Sequence, residues 1–161
     1  MKRLLLQCLI VMSLGAATTV QGQTVLISRW NFVNAASADW GPSPKPADSV
    51  NSNVAVVGLT RGSGIAPGSG STAANAWGAV GYNDGVASAV QNADTAIARG
   101  NYVVFSVKAN AGYSLSLSEI AAYNIRRSGT GPAVTQWQYS LDSVNFTDIG
   151  VSFTLPTTTA S

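Results

Sequence analysis

The side chains best suited to recognition chemistry in this chain are three aromatic rings and an arginine. Aromatic rings stack on the apolar faces of sugars, and arginine binds carboxylates or phosphates through paired N–H groups. Trp40, Trp77 and Tyr82 lie in loop-like sequence, and Arg126 opens an Arg–Arg pair. We therefore predict a ligand-binding surface that uses Trp40, Trp77, Tyr82 and Arg126.

Each of these side chains also has a structural alternative. Trp77 can fold back as a lid over one edge of the core. One arginine of the Arg126 and Arg127 pair can cover a sheet and pair with Glu119 or an aspartate. Two further tryptophans share strand faces with apolar residues and are predicted to be core residues: Trp30 and Trp137.

The composition leaves few side chains for catalysis. The chain has no histidine, one cysteine and seven carboxylates, and most of the carboxylates lie in turn-like sequence where aspartate caps the backbone. A glycosidase needs two carboxylates that face each other across a sugar. A serine nucleophile needs a base, for which only lysine remains. We therefore predict that the protein is not an enzyme, and a hydrolase is the weakest alternative.

Two loop segments raise the question of phosphate or metal binding. The run RGSGIAPGSGS at residues 61–71 lacks the Lys-Ser/Thr pair and the strand-to-helix context of a phosphate loop, so we predict a flexible loop. Oxygen donors around Asn83–Asp84 and Asn92–Asp94 leave a structural calcium ion open, although no D-x-D-x-D-G loop is present. We expect no cofactor.

The N-terminus has the three parts of a secretory signal peptide. Residues 1–22 contain a basic start, an apolar run at Leu4–Leu14 and a small, polar exit. This run is too short to cross a bilayer, and no later stretch is long and apolar enough, so no transmembrane span is predicted. Cleavage removes Cys8 and balances the charges, so no nucleic-acid partner is indicated. Residues 23–161 are predicted to form one domain.

Side-chain periodicity in this domain is mostly two-residue, which is typical of β-strands. Segment Gly85–Arg99 is left open between a short helix and a loop followed by a strand. The spacing of the strands and their Gly/Pro/Asn/Ser turns favours an all-β fold, an antiparallel β-sandwich of jelly-roll type. The predicted strands are Val25–Val33, Ser52–Leu59, Asn101–Lys108, Ser114–Ser118, Glu119–Arg127 and a hairpin formed by Val134–Leu141 and Phe146–Phe153.

The end of the chain leaves this sandwich with an exposed edge. After Phe153 the sequence becomes threonine-rich and stops, where a sandwich is expected to close with further strands. We therefore expect the domain to be truncated, lacking about one to three C-terminal strands.

The stretch Tyr102–Ile149 carries a series of short motifs. They read F-x-V, G-Y-x-L-x-L-x-x-I, R-x-S-x-x-G-P and W-x-Y-S-x-D-S-x-x-F. This series resembles secreted bacterial β-sandwich modules of the kind joined to PEP-CTERM-type or other C-terminal sorting signals, although Ser143 stands where glycine is usual. The resemblance implies a β-sandwich outside the cell or on its surface. It implies no activity, because the roles of such modules are mostly unassigned.

The sequence is consistent with two functions. The first is a secreted or cell-surface, non-catalytic β-sandwich with a structural or adhesive role. The alternative is a carbohydrate-binding module of a polysaccharide-handling protein. The expected partner is an extracellular glycan or a component of a cell surface.

Overall fold

The computed structural model describes residues 25–32, 41–68, 76–83, 92–121, 124–125, 127–129 and 131–156. The predicted signal peptide at 1–22 and two predicted site residues, Trp40 and Arg126, lie outside these ranges. The helix and strands, in chain order, are β1 Ser28–Arg29, β2 Ser49–Val50, β3 Val54–Arg61, α1 Ala93–Arg99, β4 Val103–Ala109, β5 Val134–Tyr139 and β6 Thr147–Thr154.

The strands pair in antiparallel fashion. β1 pairs with β2, β3 with β4, and β5 with β6, so each sheet in the described part of the chain has two strands. Together with the single short helix in that part, this arrangement agrees with the predicted all-β class.

The β3–β4 sheet has the alternation that the sequence predicts. Phe105, Val107 and Ala109 on β4 are half-buried, whereas Ser106 and Lys108 between them are exposed. On β3, the residues opposite this inner face are half-buried as well. The predicted strands Ser52–Leu59 and Asn101–Lys108 are therefore confirmed, with small shifts at their ends.

Trp30 connects the first segment to this sheet. Its ring packs against Phe105 with centroids 5.1 Å apart and the planes tilted by 59°. Its indole N–H donates to the carbonyl oxygen of Lys45 at 3.0 Å. Trp30 is half-buried, so it packs inward as predicted.

Residues 41–45 run along the free edge of β3. Lys45 and Leu59 exchange backbone hydrogen bonds of 2.8 and 3.0 Å, next to a β-bulge that shifts the β3–β4 register between Val57 and Thr60. Gly58 lies in the bulge and is buried, and a Cβ there would overlap the carbonyl of Lys45. The strand edge can be approached this closely because residue 58 has no side chain.

Helix α1 forms the described part of Gly85–Arg99, a segment that the sequence leaves open between a short helix and a loop followed by a strand. Residues 85–91 lie outside the described ranges. The side chain of Asn92 accepts the backbone N–H of Thr95 at 2.8 Å, which caps the first turn. Gly100 ends the helix in the left-handed conformation.

The start of the glycine-rich run packs against the end of this helix. The N–H of Gly62 donates to Tyr102 at 2.8 Å, and that of Gly64 donates to Gly100 at 3.1 Å. Ile65 is buried. The described part of the run after Arg61 is a loop that backbone hydrogen bonds connect to the end of α1.

The predicted strand Ser114–Ser118 does not form, and no strand element lies in the described part of Glu119–Arg127, of which residues 122, 123 and 126 lie outside the described ranges. At the end of that segment, the backbone N–H of Arg127 donates to the carbonyl of Pro156 at 3.3 Å. Residues 114–121 and 124–125 have no strand hydrogen bonding, and Leu117 is 63 % exposed. Alternating leucine and serine describes side-chain direction only. A strand also needs a neighbour for its backbone N–H and C=O groups, which periodicity does not supply.

The predicted C-terminal hairpin is confirmed. Trp137 lies opposite Ile149, and Tyr139 lies opposite Thr147, so these residues share one face. The connecting turn contains Ser143 with a φ of 63°. This is the position where the resembled modules carry glycine, the residue that adopts positive φ most readily.

We expect Gly58→Ala to lower the free energy of unfolding by about 1–3 kcal/mol, because its Cβ forces β3 away from Lys45. Thermal unfolding followed by circular dichroism measures this. Gly129→Ala is the matched control, since nothing lies within 4 Å of a Cβ there. Equal melting temperatures for the two variants would contradict the close approach at Gly58.

Candidate functional site

An open pocket of about 550 Å³ lies between segment 41–43 and the C-terminal end of β3. This volume is in the range of small-molecule sites, about 300–1,000 Å³. We call it the Arg61 pocket, and its lining residues are Gly41, Pro42, Ser43, Arg61, Gly62, Ile65 and Pro67.

Arg61 holds the walls of this pocket together. Its Nε donates to the carbonyl of Gly78 at 2.8 Å, and its Nη1 donates to the carbonyl of Gly41 at 3.0 Å. Its backbone N–H donates to Oγ of Ser43 at 2.9 Å. One residue thus fastens the 41–43 segment and the 76–80 segment to the end of β3.

Trp77 stacks on the same guanidinium. The Cζ of Arg61 lies 4.5 Å from the centroid of the indole ring, in the geometry of a cation–π contact. The indole N–H donates to the carbonyl of Pro42 at 2.8 Å. A Cβ on Gly41 would lie 2.8 Å from Cδ1 of Trp77, and Gly41 has a φ of +78°, so both contact and conformation favour glycine there.

A short backbone ladder positions Trp77. Ala66 and Val80 exchange hydrogen bonds of 3.1 and 2.9 Å, which brings residues 76–80 alongside the segment that follows β3. Trp77 is half-buried. One face of its ring packs on Arg61, and its indole N–H donates to the main chain at Pro42. This geometry has the elements of the lid alternative and also brings an aromatic ring to the side of a pocket.

Tyr82 is the other predicted site residue that the structure describes, and it does not line this pocket. Tyr82 is half-buried outside the described lining of the Arg61 pocket, and its carbonyl accepts from Nδ2 of Asn101 at 3.2 Å. Trp40 and Arg126 lie outside the described residues. Sequence reasoning missed Arg61. The available signal was an arginine at the end of an apolar strand, directly before a glycine-rich run.

Arg127 binds backbone oxygens. Its Nε donates to Leu155 at 3.3 Å, and its Nη1 contacts the carbonyls of Ser128, Gly129 and Gly131 at 3.3 to 3.4 Å. The predicted structural alternative paired one arginine with a carboxylate. The carbonyls that accept from Arg127 fix the loop before β5 against the buried Leu155.

Asp142 organises the β5–β6 turn. Its Oδ1 accepts the backbone N–H groups of Val144 and Asn145 at 2.9 and 2.8 Å, and the hydroxyl of Ser140 at 3.0 Å. Its Oδ2 accepts from Nδ2 of Asn145 at 2.7 Å. The hydrogen bonds from Asn145, then those from Val144 and Ser140, stabilise the carboxylate and hold the pKa of Asp142 far below its ordinary range.

Two other aspartates hold backbone and side-chain contacts. Oδ2 of Asp48 accepts the N–H of Asn31 at 2.6 Å, and its Oδ1 lies 4.0 Å from Nζ of Lys45. Oδ1 of Asp148 accepts from Gln138 across the β5–β6 pair at 2.8 Å. The prediction that aspartates cap the backbone of turns is confirmed at Asp142.

The described residues contain no group of three His, Cys, Asp or Glu side chains that could hold a metal ion. Asn92, one of the predicted oxygen donors for calcium, caps α1. No helix in the described part of the chain has the length and apolar character needed to span a membrane.

Comparison of the chain with protein-family profiles, with curated proteins and with solved structures found no match.

We expect Asp142→Asn to destabilise the protein near neutral pH, because the turn loses a carboxylate whose two oxygens both accept hydrogen bonds. The pKa of Asp142 is lowered in the folded protein, so folding favours the ionised carboxylate. This stabilisation is present above the unfolded pKa of about 4 and is lost as the pH falls toward 2. Melting temperatures of both proteins across this range measure the effect.

The difference in melting temperature between wild type and Asp142→Asn should shrink as the pH falls. Asp148→Asn is the control, since the Asp148 side chain accepts one cross-strand hydrogen bond from Gln138. A wild-type advantage over Asp142→Asn that stays constant down to pH 2 would contradict the role of the ionised carboxylate.

Proposed function

We propose that the protein is a secreted or cell-surface, non-catalytic module with a structural or adhesive role, and that its sheets belong to a β-sandwich of jelly-roll type. The observation that carries this proposal is the exposure of large apolar side chains on the β5–β6 hairpin. Leu141 is 95 % exposed, Val144 75 % and Val151 86 %. Contiguous apolar surface marks sites of association, and we infer that these side chains contribute to one such surface.

The two faces of the hairpin differ in chemistry. Trp137 and Ile149 lie opposite each other on one face, with Tyr139 following two residues along β5. On the other face, Gln138 and Asp148 are joined by a hydrogen bond of 2.8 Å. Tyr139 and Ile149 are both exposed, so the apolar face is available to cover another surface.

The non-catalytic part of the proposal is supported by how the polar groups are used. Acid–base catalysis depends on a group that gives up and regains a proton near the working pH. Asp142 is held ionised by its turn, and Asp48 and Asp148 accept hydrogen bonds from their neighbours. The absence of histidine from the sequence removes the commonest proton-transfer side chain.

The extracellular location is inferred from the sequence. The basic, apolar and small-residue parts of residues 1–22 are typical of an export signal. The motif series in Tyr102–Ile149 resembles modules of secreted bacterial proteins. Both features support a protein that works outside the cell.

We expect the double variant Leu141→Ser, Val144→Ser to adsorb to an alkyl-coated surface about tenfold more weakly or worse than the wild type. Covering a leucine or valine side chain contributes about 1.5–3 kcal/mol, and about 1.4 kcal/mol corresponds to a factor of ten. Adsorption isotherms on alkyl-coated and bare glass measure this.

Leu117→Ser is the matched control, since Leu117 is also exposed but lies outside the hairpin. Its adsorption should equal that of the wild type. Equal losses in the control and the hairpin variant would assign adsorption to general hydrophobicity and would refute a role for the hairpin. Circular dichroism verifies that both variants fold.

A second function, a carbohydrate-binding module, is favoured by the Arg61 pocket. The pocket combines proline rings, the hydroxyl of Ser43 and a guanidinium backed by the indole of Trp77. Apolar rings beside a few placed polar groups are typical of small-ligand sites.

We expect a glycan array to show saturable binding that Trp77→Ala abolishes and Trp77→Phe partly retains. Phenylalanine keeps a ring on Arg61 but removes the indole N–H that binds Pro42. Melting curves identify variants that fail to fold. Absence of binding by the folded wild type across plant and algal glycans would refute this function.

A further inference from the structure

A pocket of about 340 Å³ lies between α1 and the turn of the β5–β6 hairpin. We call it the Asp94 pocket. Helix α1 contributes Asp94, Ile97 and Ala98 to its lining, and the hairpin contributes Gln138 and residues 144–146. Its volume is at the lower end of the range for small-ligand sites, about 300–1,000 Å³. The pocket therefore suits a group about the size of one side chain, and its lining determines which one.

Three side chains of this lining carry oxygen acceptors: Asp94, Gln138 and Asn145. Nε2 of Gln138 donates to Oδ1 of Asp148 at 2.8 Å. In the same way, Nδ2 of Asn145 donates to Oδ2 of Asp142 at 2.7 Å. Because an ionised carboxylate only accepts, these bonds fix which end of each amide is the nitrogen and leave the amide oxygen as an acceptor. Within the described residues, no donor or cation contacts either amide oxygen or the Asp94 carboxylate.

The hairpin that forms one wall of the pocket carries negative charge only. Residues 134–156 contain Asp142 and Asp148 and no lysine or arginine. From the other wall, α1 adds the carboxylate of Asp94 in its first turn, whereas Arg99 lies in its last turn and outside the lining. A ligand that enters the pocket therefore gains most by bringing positive charge and hydrogen-bond donors.

The rest of the lining is apolar and continues into the exposed surface of the hairpin. Ile97 and Phe146 are half-buried, and an aromatic ring attracts a cation to its face. Val144 lines the pocket and is 75 % exposed, and Leu141 in the same turn is 95 % exposed. A partner that covers these two side chains thus brings its own side chains next to the pocket.

A lysine side chain has the chemistry that this lining requires. Its ammonium group carries three N–H donors on one compact centre, and the lining offers three acceptor side chains. The guanidinium of arginine is planar and is best matched by the two oxygens of a single carboxylate. The four-carbon stem of lysine packs against apolar surface while its charge stays near water, which is the environment of an open pocket.

We infer that the Asp94 pocket binds the ammonium group of a lysine in a partner protein when the hairpin adheres to that partner. This inference rests on the proposed adhesive function and specifies the partner: a polypeptide surface that combines apolar side chains with lysine. Charge selects lysine over a neutral side chain, and the apolar wall selects it over a free inorganic cation.

The first test uses a fluorescently labelled synthetic peptide of alternating leucine and lysine, together with the same peptide carrying acetylated lysines. Acetylation removes the charge and keeps the peptide chain. The lysine peptide should therefore bind the purified protein about tenfold more tightly than the acetylated one, as measured by fluorescence anisotropy. The preference should fall as the salt concentration rises, because ions screen an open site.

Variants of the pocket provide the second test. Asp94→Asn removes one carboxylate and should weaken binding of the lysine peptide about fivefold. Its matched control is Glu119→Gln, because Glu119 is an exposed carboxylate outside the lining, and this variant should bind like the wild type.

A cation placed in the pocket complements the loss of the carboxylate. Ala98 is exposed and lines the pocket, so Ala98→Arg should weaken binding of the lysine peptide about tenfold by repulsion. Ser118→Arg adds the same charge at an exposed position outside the lining and should leave the affinity unchanged. Circular dichroism verifies that all variants fold. Equal affinities in the pocket variants and their controls would overturn the inference.

The outcomes separate the inference from the function beneath it. Equal affinity for the two peptides overturns the lysine assignment, as does capture of the protein by phosphatidylethanolamine vesicles but not by the lysine peptide. The adhesive function still stands in either case if Leu141→Ser, Val144→Ser lowers adsorption to alkyl-coated glass. Absence of both peptide binding and hairpin-dependent adsorption overturns the inference and the proposed function together.

Discussion

The contact between Arg61 and Trp77 is the constraint on which the described region around the C-terminal end of β3 depends. Arg61 ends β3, and its side chain reaches the carbonyls of two segments that are distant in sequence, at Gly41 and Gly78. Trp77 completes the arrangement by binding Pro42. Carbonyl dipoles and an aromatic face stabilise the positive charge of the guanidinium at this position.

Close backbone approach complements this contact where large side chains are scarce. In the described residues the buried hydrophobic side chains are Ile65 and Leu155, so much of the cohesion comes from hydrogen-bonded backbone. Gly58 lets residues 41–45 reach β3, and the Gly62–Gly64 segment reaches the end of α1. Aspartates and arginines then secure the turns, as Asp142 and Arg127 illustrate.

The sequence predicted the local features well and the long-range ones poorly. The alternation of apolar and polar residues identified β3, β4 and the β5–β6 hairpin. In a strand with one covered face, every second side chain is apolar, so the pattern is visible in the sequence. The same alternation at Ser114–Ser118 was misleading, since no neighbouring strand is encoded in it. Trp77 stands out in the sequence as an aromatic residue in a loop, whereas its partner Arg61 lies at the end of a strand. The contact between them depends on the backbone pairing of Ala66 with Val80, which periodicity does not reveal.

The Arg61 guanidinium donates to the main-chain oxygens of Gly41 and Gly78, and a main-chain oxygen is a group that every amino acid carries. Exchanging the side chains at Pro42, Ser43 or Pro67 therefore leaves those two anchoring hydrogen bonds chemically possible. The shape and polarity of the Arg61 pocket can therefore change by substitution at these positions, while the guanidinium keeps the same two carbonyl acceptors. A scaffold of this type is suited to engineering, because new specificities can be selected from libraries at the rim without rebuilding what supports it.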